Sequence, residues 1–299
     1  MKLHALACTV LAASLAAQQP PLPPKPPKPP APPVPPEPDF TPTRTETKVE
    51  SLAAGSRLWV KNRNGAIHVS GWDQEQVSLV ARIRDSESRH IELVLQRKGS
   101  DLDIEAVYPS STVFSFFGGH QSPRCDMILQ VPRKLIGAFR TTNGDLVVSG
   151  IEGYARCETT NGEVRVSDLA GEAYASTTNG NIIAKGLGAR IKGGTTNGDL
   201  ILEEIAGGIH LETTNGEIKA KRLDGWNEGI HLETTNGDVE VELGHARGEV
   251  IAENTNGSLE VHLPGAESIE VSKHHAHVRL AGRTQQITLE TTNGDITVK

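Results

Sequence analysis

The sequence predicts an all-β chain whose larger part is a single-stranded β-solenoid of about nine 18-residue coils, preceded by a β-rich N-terminal region. Three observations carry this expectation. The tetrapeptide Thr-Thr-Asn-Gly recurs from Thr141, Thr159, Thr177, Thr195, Thr213, Thr234 and Thr291, mostly eighteen residues apart, and a fixed period of this size marks stacked repeats. Apolar residues stand at constant offsets from each Asn, with polar residues between them. Aromatic residues are only 4% of the chain while Gly numbers 30, so thin layers of Val, Ile and Leu must fill the core.

Residues 1–19 read as a secretory signal peptide: a basic start (Lys2, His4), an apolar run from Leu6 to Ala17, then Gln18-Gln19. Export is therefore expected, with the protein periplasmic, at the cell surface or secreted. The apolar run is shorter than the roughly 20 residues of a membrane-spanning helix. Cys8 has too few residues before it for a lipoprotein signal. Cys125 and Cys157 would remain after cleavage; an oxidising compartment permits their pairing, but Cys157 falls in an inward column and fits better as a small buried apolar residue.

Residues 20–42 form a stalk. From Pro20 to Pro38, thirteen of nineteen residues are proline; each fixes φ and lacks an N–H, which favours an extended polyproline II rod of roughly 60 Å. Residues 43–135 form the N-terminal β-rich region. Within it Leu58, Val60, Asn64-Gly65, Ile67 and Val69 match the later repeat as a divergent first coil. Val77, Leu79, Ala81 and Ile83, then Ile91, Leu93 and Leu95, then Leu102, Ile104 and Ala106, alternate with polar neighbours as half-buried strands do. A Gly/Ser-rich loop carrying Phe114, Phe116 and Phe117 interrupts them.

Residues 136–299 carry the regular coils. Six before each Asn stand Gly137, Ala155, Ala173, Ile191, Ile209, Ile230, Val250, Ile269 and Ile287; three after stand Leu146, Val164, Ile182, Leu200, Ile218, Val239, Leu259, Val278 and Ile296. Positions four before, such as Val271, and five after, such as Leu280, are apolar too. Each coil is thus two short strands with alternate residues inward, and Lys273-His274-His275-Ala276 reads as a worn corner of its own coil. Asn-Gly is also a hairpin signal, but parallel in-register stacking gives the corner a reason to stay constant, because Asn and Thr ladders bond between coils. The corners Asn143-Gly144, Asn161-Gly162, Asn179-Gly180, Asn197-Gly198, Asn215-Gly216, Asn236-Gly237, Asn256-Gly257 and Asn293-Gly294 are expected to form this structural ladder.

The Thr-Thr-Asn-Gly-(Asp/Glu)-apolar-X-apolar unit, following a β region and an export signal, resembles the bacterial putative-adhesin β-solenoid family and, more distantly, GIN-domain adhesin heads. The resemblance covers roughly residues 45 to 299. It implies a solenoid and surface attachment, and brings no catalytic residue with it.

No cofactor, metal or catalytic site is expected. The corner acids Asp145, Glu163, Asp199, Glu217, Asp238 and Asp295 could supply calcium oxygens, but Asn181, Ser258 and His277 break their column, and solvated carboxylates accepting turn N–H bonds account for it better. His210 and His231 occupy equivalent outward positions and could bind zinc, but no acid or Cys column is expected to complete a tetrahedral site beside them. Adjacent threonines point to opposite faces, which disfavours an ice-binding array. A net charge of −7 with both signs mixed gives no case for nucleic acid. The function expected is non-enzymatic adhesion or scaffolding at the cell envelope, through envelope or host protein or glycan. The alternatives are a passive structural or envelope-stress component and, further off, a polysaccharide-active β-helix enzyme. An intact coil at Lys299 without a polar cap suggests end-to-end self-association.

Overall fold

The computed structural model describes residues 41–87, 89–109, 122–224, 228–244, 248–282 and 285–299. The signal peptide at 1–19, the stalk as far as residue 40, and the loop with Phe114, Phe116 and Phe117 lie outside the described residues. The described residues fall in one compact unit. Among the described residues every regular element is a strand, and no helix is long and apolar enough to cross a membrane. The fold is an all-β solenoid.

Two sheets, of 12 and 13 strands, run the length of the stack. The Asn197 coil shows the unit. Ile191–Asn197 lies in the 13-stranded sheet and Leu200–Ile205 in the 12-stranded one. Parallel, in-register pairing sets Ile191 beside Ala173 and Ile209, and Leu200 beside Ile182 and Ile218. Alternation turns Ile191, Leu200 and Leu202 inward, where they are buried. Burial of a side chain of this size contributes about 1.5–3 kcal/mol, and repetition along the stack supplies the core that scarce aromatics cannot.

A fifth inward column goes beyond simple alternation. Ile151, Leu169, Leu187, Ile205 and Leu223 are all buried, although period 2 would send them outward. The residue before each is left-handed: Gly150, Asp168, Gly186, Glu204 and Arg222 have φ of 69°, 53°, 64°, 57° and 53°. One left-handed residue reverses the alternation and folds the next side chain into the core. That conformation costs an L residue about 1–2 kcal/mol, which burial of a Leu or Ile offsets. At three of these corners the left-handed position is thus held by a residue other than glycine.

The order of coils in space departs from the order in sequence at both ends. The Asn64 coil, Arg57–Lys61 with Ile67–Trp72, packs on the Asn143 coil on one side. On its other side lie Asp101–Val107 and Arg124–Pro132. Residues 43–135 and 136–299 thus share both sheets. Gln76–Arg84 and Arg44–Ser51 continue one sheet antiparallel, and Glu92–Lys98 does so on the other. At the opposite end, Gln286–Asn293 pairs with Ile230–Asn236 on one side and Glu249–Asn256 on the other. Ile296–Val298 lies likewise between Val239–Leu243 and Leu259–Val261.

Two expectations are corrected here. Lys273 to Ala276 is no coil corner: Ser268–Val271 and His275–Arg279 form an antiparallel pair laid on Glu249–Asn256. Ile269 and Val271, expected inward, are 48% and 50% exposed, because a hairpin on the end of the stack has no further coil over it. The last coil is not an open end either. Both its strands are paired on both sides, so its edge offers no template for end-to-end association. An interior coil should tolerate truncation poorly. Ile296→Ala is expected to cost about 2–5 kcal/mol, and Val261→Ala, in the outer coil, clearly less, as read from urea unfolding midpoints.

Candidate functional site

The corner is built from four residues with distinct tasks. The first Thr of each pair is buried, and its hydroxyl donates to the corner Gly carbonyl of the preceding coil in the stack, as in Thr195 Oγ1 to Gly180 O at 2.9 Å. The second Thr is exposed at the surface, as at Thr178, Thr196 and Thr214. Each Asn amide nitrogen donates to the Asn carbonyl oxygen of the neighbouring coil. Seven such bonds of 2.8 to 3.0 Å run from Asn143 through Asn161, Asn179, Asn197, Asn215, Asn236 and Asn293 to Asn256. The ladder follows the spatial order of coils, with Asn293 between Asn236 and Asn256.

Glycine is required here by contact. A Cβ on Gly180, at φ 152°, would lie 2.1 Å from the Gly162 carbonyl oxygen. The acid that follows uses its side chain to bond the neighbouring coil: Asp145 Oδ1 accepts the Glu163 N–H at 2.8 Å and Asp199 Oδ1 accepts that of Glu217 at 2.9 Å. Asn181 does the same for Asp199 at 2.8 Å, so the break in the acid column preserves the bond. His277 does not belong to this column; it lies in the end hairpin and contacts Glu249. The Ser258 N–H bonded to Asp295 holds that carboxyl below the usual carboxylate range. Cys125 and Cys157 are buried and unpaired, and burial pushes both thiols up to about 12.

The outward face of the 13-stranded sheet carries the chemistry that varies. Strand register aligns Lys192, His210, His231 and Thr288 in one row, and Gly194, Glu212, Glu233, Glu290 and Glu253 in the next. The rings of His210 and His231 stack with centroids 4.8 Å apart and planes 19° from parallel. His210 Nε2 lies 3.2 Å from Glu212 Oε1, and His231 Nε2 lies 3.5 Å from Glu233 Oε2. Glu212 and Glu233 thus put an acid column beside these histidines. A His-X-Glu spacing in a strand puts both side chains on one face. The signal was present in the identical stretches Gly208–Gly216 and Gly229–Gly237.

These histidines line an open groove of about 720 Å³, together with Arg190, Lys192, Gln286 and Thr288. Further along the same face Trp59 is 41% exposed, in one row with Arg156 and Tyr174. The Arg156 guanidinium sits 4.3 Å above the Tyr174 ring.

Coils pinned at one corner by stacked Asn, Thr and Gly, with antiparallel strands at both ends of the 13-stranded sheet, define a β-solenoid. Residues 56–299 match the family described as Toastrack DUF4097, and the chain belongs to that family. A comparison with curated proteins finds no match. Among solved structures, a "putative lipid binding protein" from Parabacteroides distasonis is similar at 17% identity and a TM-score of 0.39, covering 86% of this chain and 98% of that one. A "putative adhesin" from the same species gives 13% and 0.37, covering 86% and 97%. Another from Bacteroides fragilis gives 11% and 0.34, covering 87% and 99%. No residue role is carried from them to this chain.

Two outcomes follow for the corner. Gly180→Ala should cost at least about 2 kcal/mol, from dihedral strain and displacement of the neighbouring coil. Gly99→Ala, at φ 65° with nothing within 4 Å of the added methyl, should cost only the strain, about 1 kcal/mol; urea unfolding distinguishes them. Asp295 has a depressed folded pKa, so its contribution is present above the unfolded value of about 3.9 and is lost as pH falls through the folded one. Asp295→Asn keeps the acceptor oxygen, as Asn181 does. It should leave the melting temperature at neutral pH unchanged while flattening its fall below about pH 4.

Proposed function

We propose that this chain is an exported, non-enzymatic attachment or scaffolding protein of the cell envelope, and that it holds a polar partner, protein or glycan, on the outward face of its 13-stranded sheet. The observation that carries this reading is the groove of about 720 Å³ over that face. Its lining mixes Arg190, Lys192, His210, His231, Gln286 and Thr288, a set of hydrogen-bonding groups on a regular β floor. Planar and cationic side chains in this arrangement suit hydroxyl-rich or carboxylate-bearing ligands better than an acyl chain. The exposed Trp59 and the Arg156–Tyr174 pair extend the same face with surfaces on which sugar rings stack.

The corner ladder supports a division of labour. We assign Asn143, Asn161, Asn179, Asn197, Asn215, Asn236, Asn256 and Asn293, with the glycines after them, to holding the coils in register, and leave recognition to the outward rows. Purified chain is expected to bind envelope fractions or a glycan array saturably. Lys192→Glu should weaken that binding at least about tenfold, the loss of one charge-assisted contact. Arg165→Glu, which alters the outward face of the other sheet, should leave it unchanged. Equal binding by both variants would move the contact elsewhere, and absence of saturable binding would leave a passive envelope component.

A further inference from the structure

The two His-Glu pairs in the groove have the makings of a metal centre. A tetrahedral zinc with nitrogen and oxygen ligands at about 2.0–2.1 Å has its ligand atoms roughly 3.3–3.4 Å apart. Within each strand that spacing already exists, at 3.2 Å for His210–Glu212 and 3.5 Å for His231–Glu233. Between strands, the ligand atoms of His210, Glu212 and His231 all lie within 4.8 Å of one another. The groups that must close the remaining gap are exposed or half-buried side chains. The coil stack fixes the two strands in register, His beside His and Glu beside Glu, so Glu233 stands next to that three-residue cluster.

Charge points the same way. Glu212, Glu233, Glu290 and Glu253 follow one another across adjacent strands, and like charges placed so are destabilising. Among the described residues neither Glu212 nor Glu233 has a Lys or Arg ion-pair partner. A dication between the first two strands would relieve that repulsion. Two imidazoles with carboxylates favour zinc, copper or nickel over calcium and magnesium, which take all-oxygen sets.

We infer that His210, His231, Glu212 and Glu233 form a binding site for one divalent transition-metal ion of the zinc class. The inference is independent of the attachment reading, since it concerns the metal alone. The test is competition for Zn²⁺ between the tag-free full chain and a chromophoric chelator, with Cu²⁺ electron paramagnetic resonance on the same chain. One equivalent of Zn²⁺ is expected, weakened more than ~10-fold in His210→Ala and in His231→Ala, because loss of a direct ligand should exceed the effect of losing an outer partner. His275→Ala, which removes the imidazole paired with Glu253 at 3.1 Å, should bind as the wild type does. The Cu²⁺ spectrum should show coupling to two nitrogens. Unchanged affinity in the His210 and His231 variants, equal weakening in His275→Ala (an adventitious ion only), or a spectrum of the unaltered chain lacking two-nitrogen coupling would each overturn the proposal.

Discussion

Every coil rests on a contact in which backbone meets backbone. At the Asn-Gly corner the carbonyl oxygen of one glycine occupies the place where a Cβ on the next would lie, at 2.0 to 2.2 Å from it along the column. That approach brings the Asn amides within 2.8 to 3.0 Å of each other. It also sets the Thr hydroxyls at the corner carbonyls. Once the corner fixes the rise, both sheets inherit it, and the inward side chains must be small or slender enough to fit layers of that thickness. The low aromatic content follows from this spacing, and so does the need for many layers to make a stable unit.

The same register decides what the outer surface can display. Residues two apart in a strand share a face, and residues one coil apart stand side by side. A side chain in the repeat is therefore copied into a row, and a duplicated stretch such as Gly208–Gly216 and Gly229–Gly237 produces a paired group without further design. His210 over His231 and Glu212 beside Glu233 arise in this way. Where the stretch is not copied, the row changes character, as from Tyr174 to Lys192 to His210. The outward rows can vary from coil to coil while the corner stays constant.

Much of this was legible from residue order. The inward columns, the corner tetrapeptide and the divergent coil at Asn64 all follow from period and offset, because those features repeat locally. Two things escaped that reasoning. The buried Leu169, Ile205 and Leu223 each depend on a single left-handed residue that propensity assigns to no particular side chain, so Asp168, Glu204 and Arg222 gave no warning. The spatial order of coils escaped as well. An Asn293 coil is chemically able to stack on any Asn-Gly neighbour, and nothing in the tetrapeptide distinguishes the Asn236 partner from the Asn256 one.

The interleaved coil has a consequence for the order of assembly. The Asn293 coil is synthesised after both coils that flank it, so a chain emerging from the ribosome cannot settle its flanking coils against their final partner as they appear. Either the Asn236 and Asn256 coils wait apart, or they meet wrongly and must separate. The growing stack thus carries a vacant berth until Ile287 and Ile296 arrive to fill it. Loop closure of this longer range is slower than the neighbour-to-neighbour addition available elsewhere in the stack. Completed, the arrangement works like a lockstitch: fraying at that end must first release the Asn256 coil and its hairpin before the interior strand can leave.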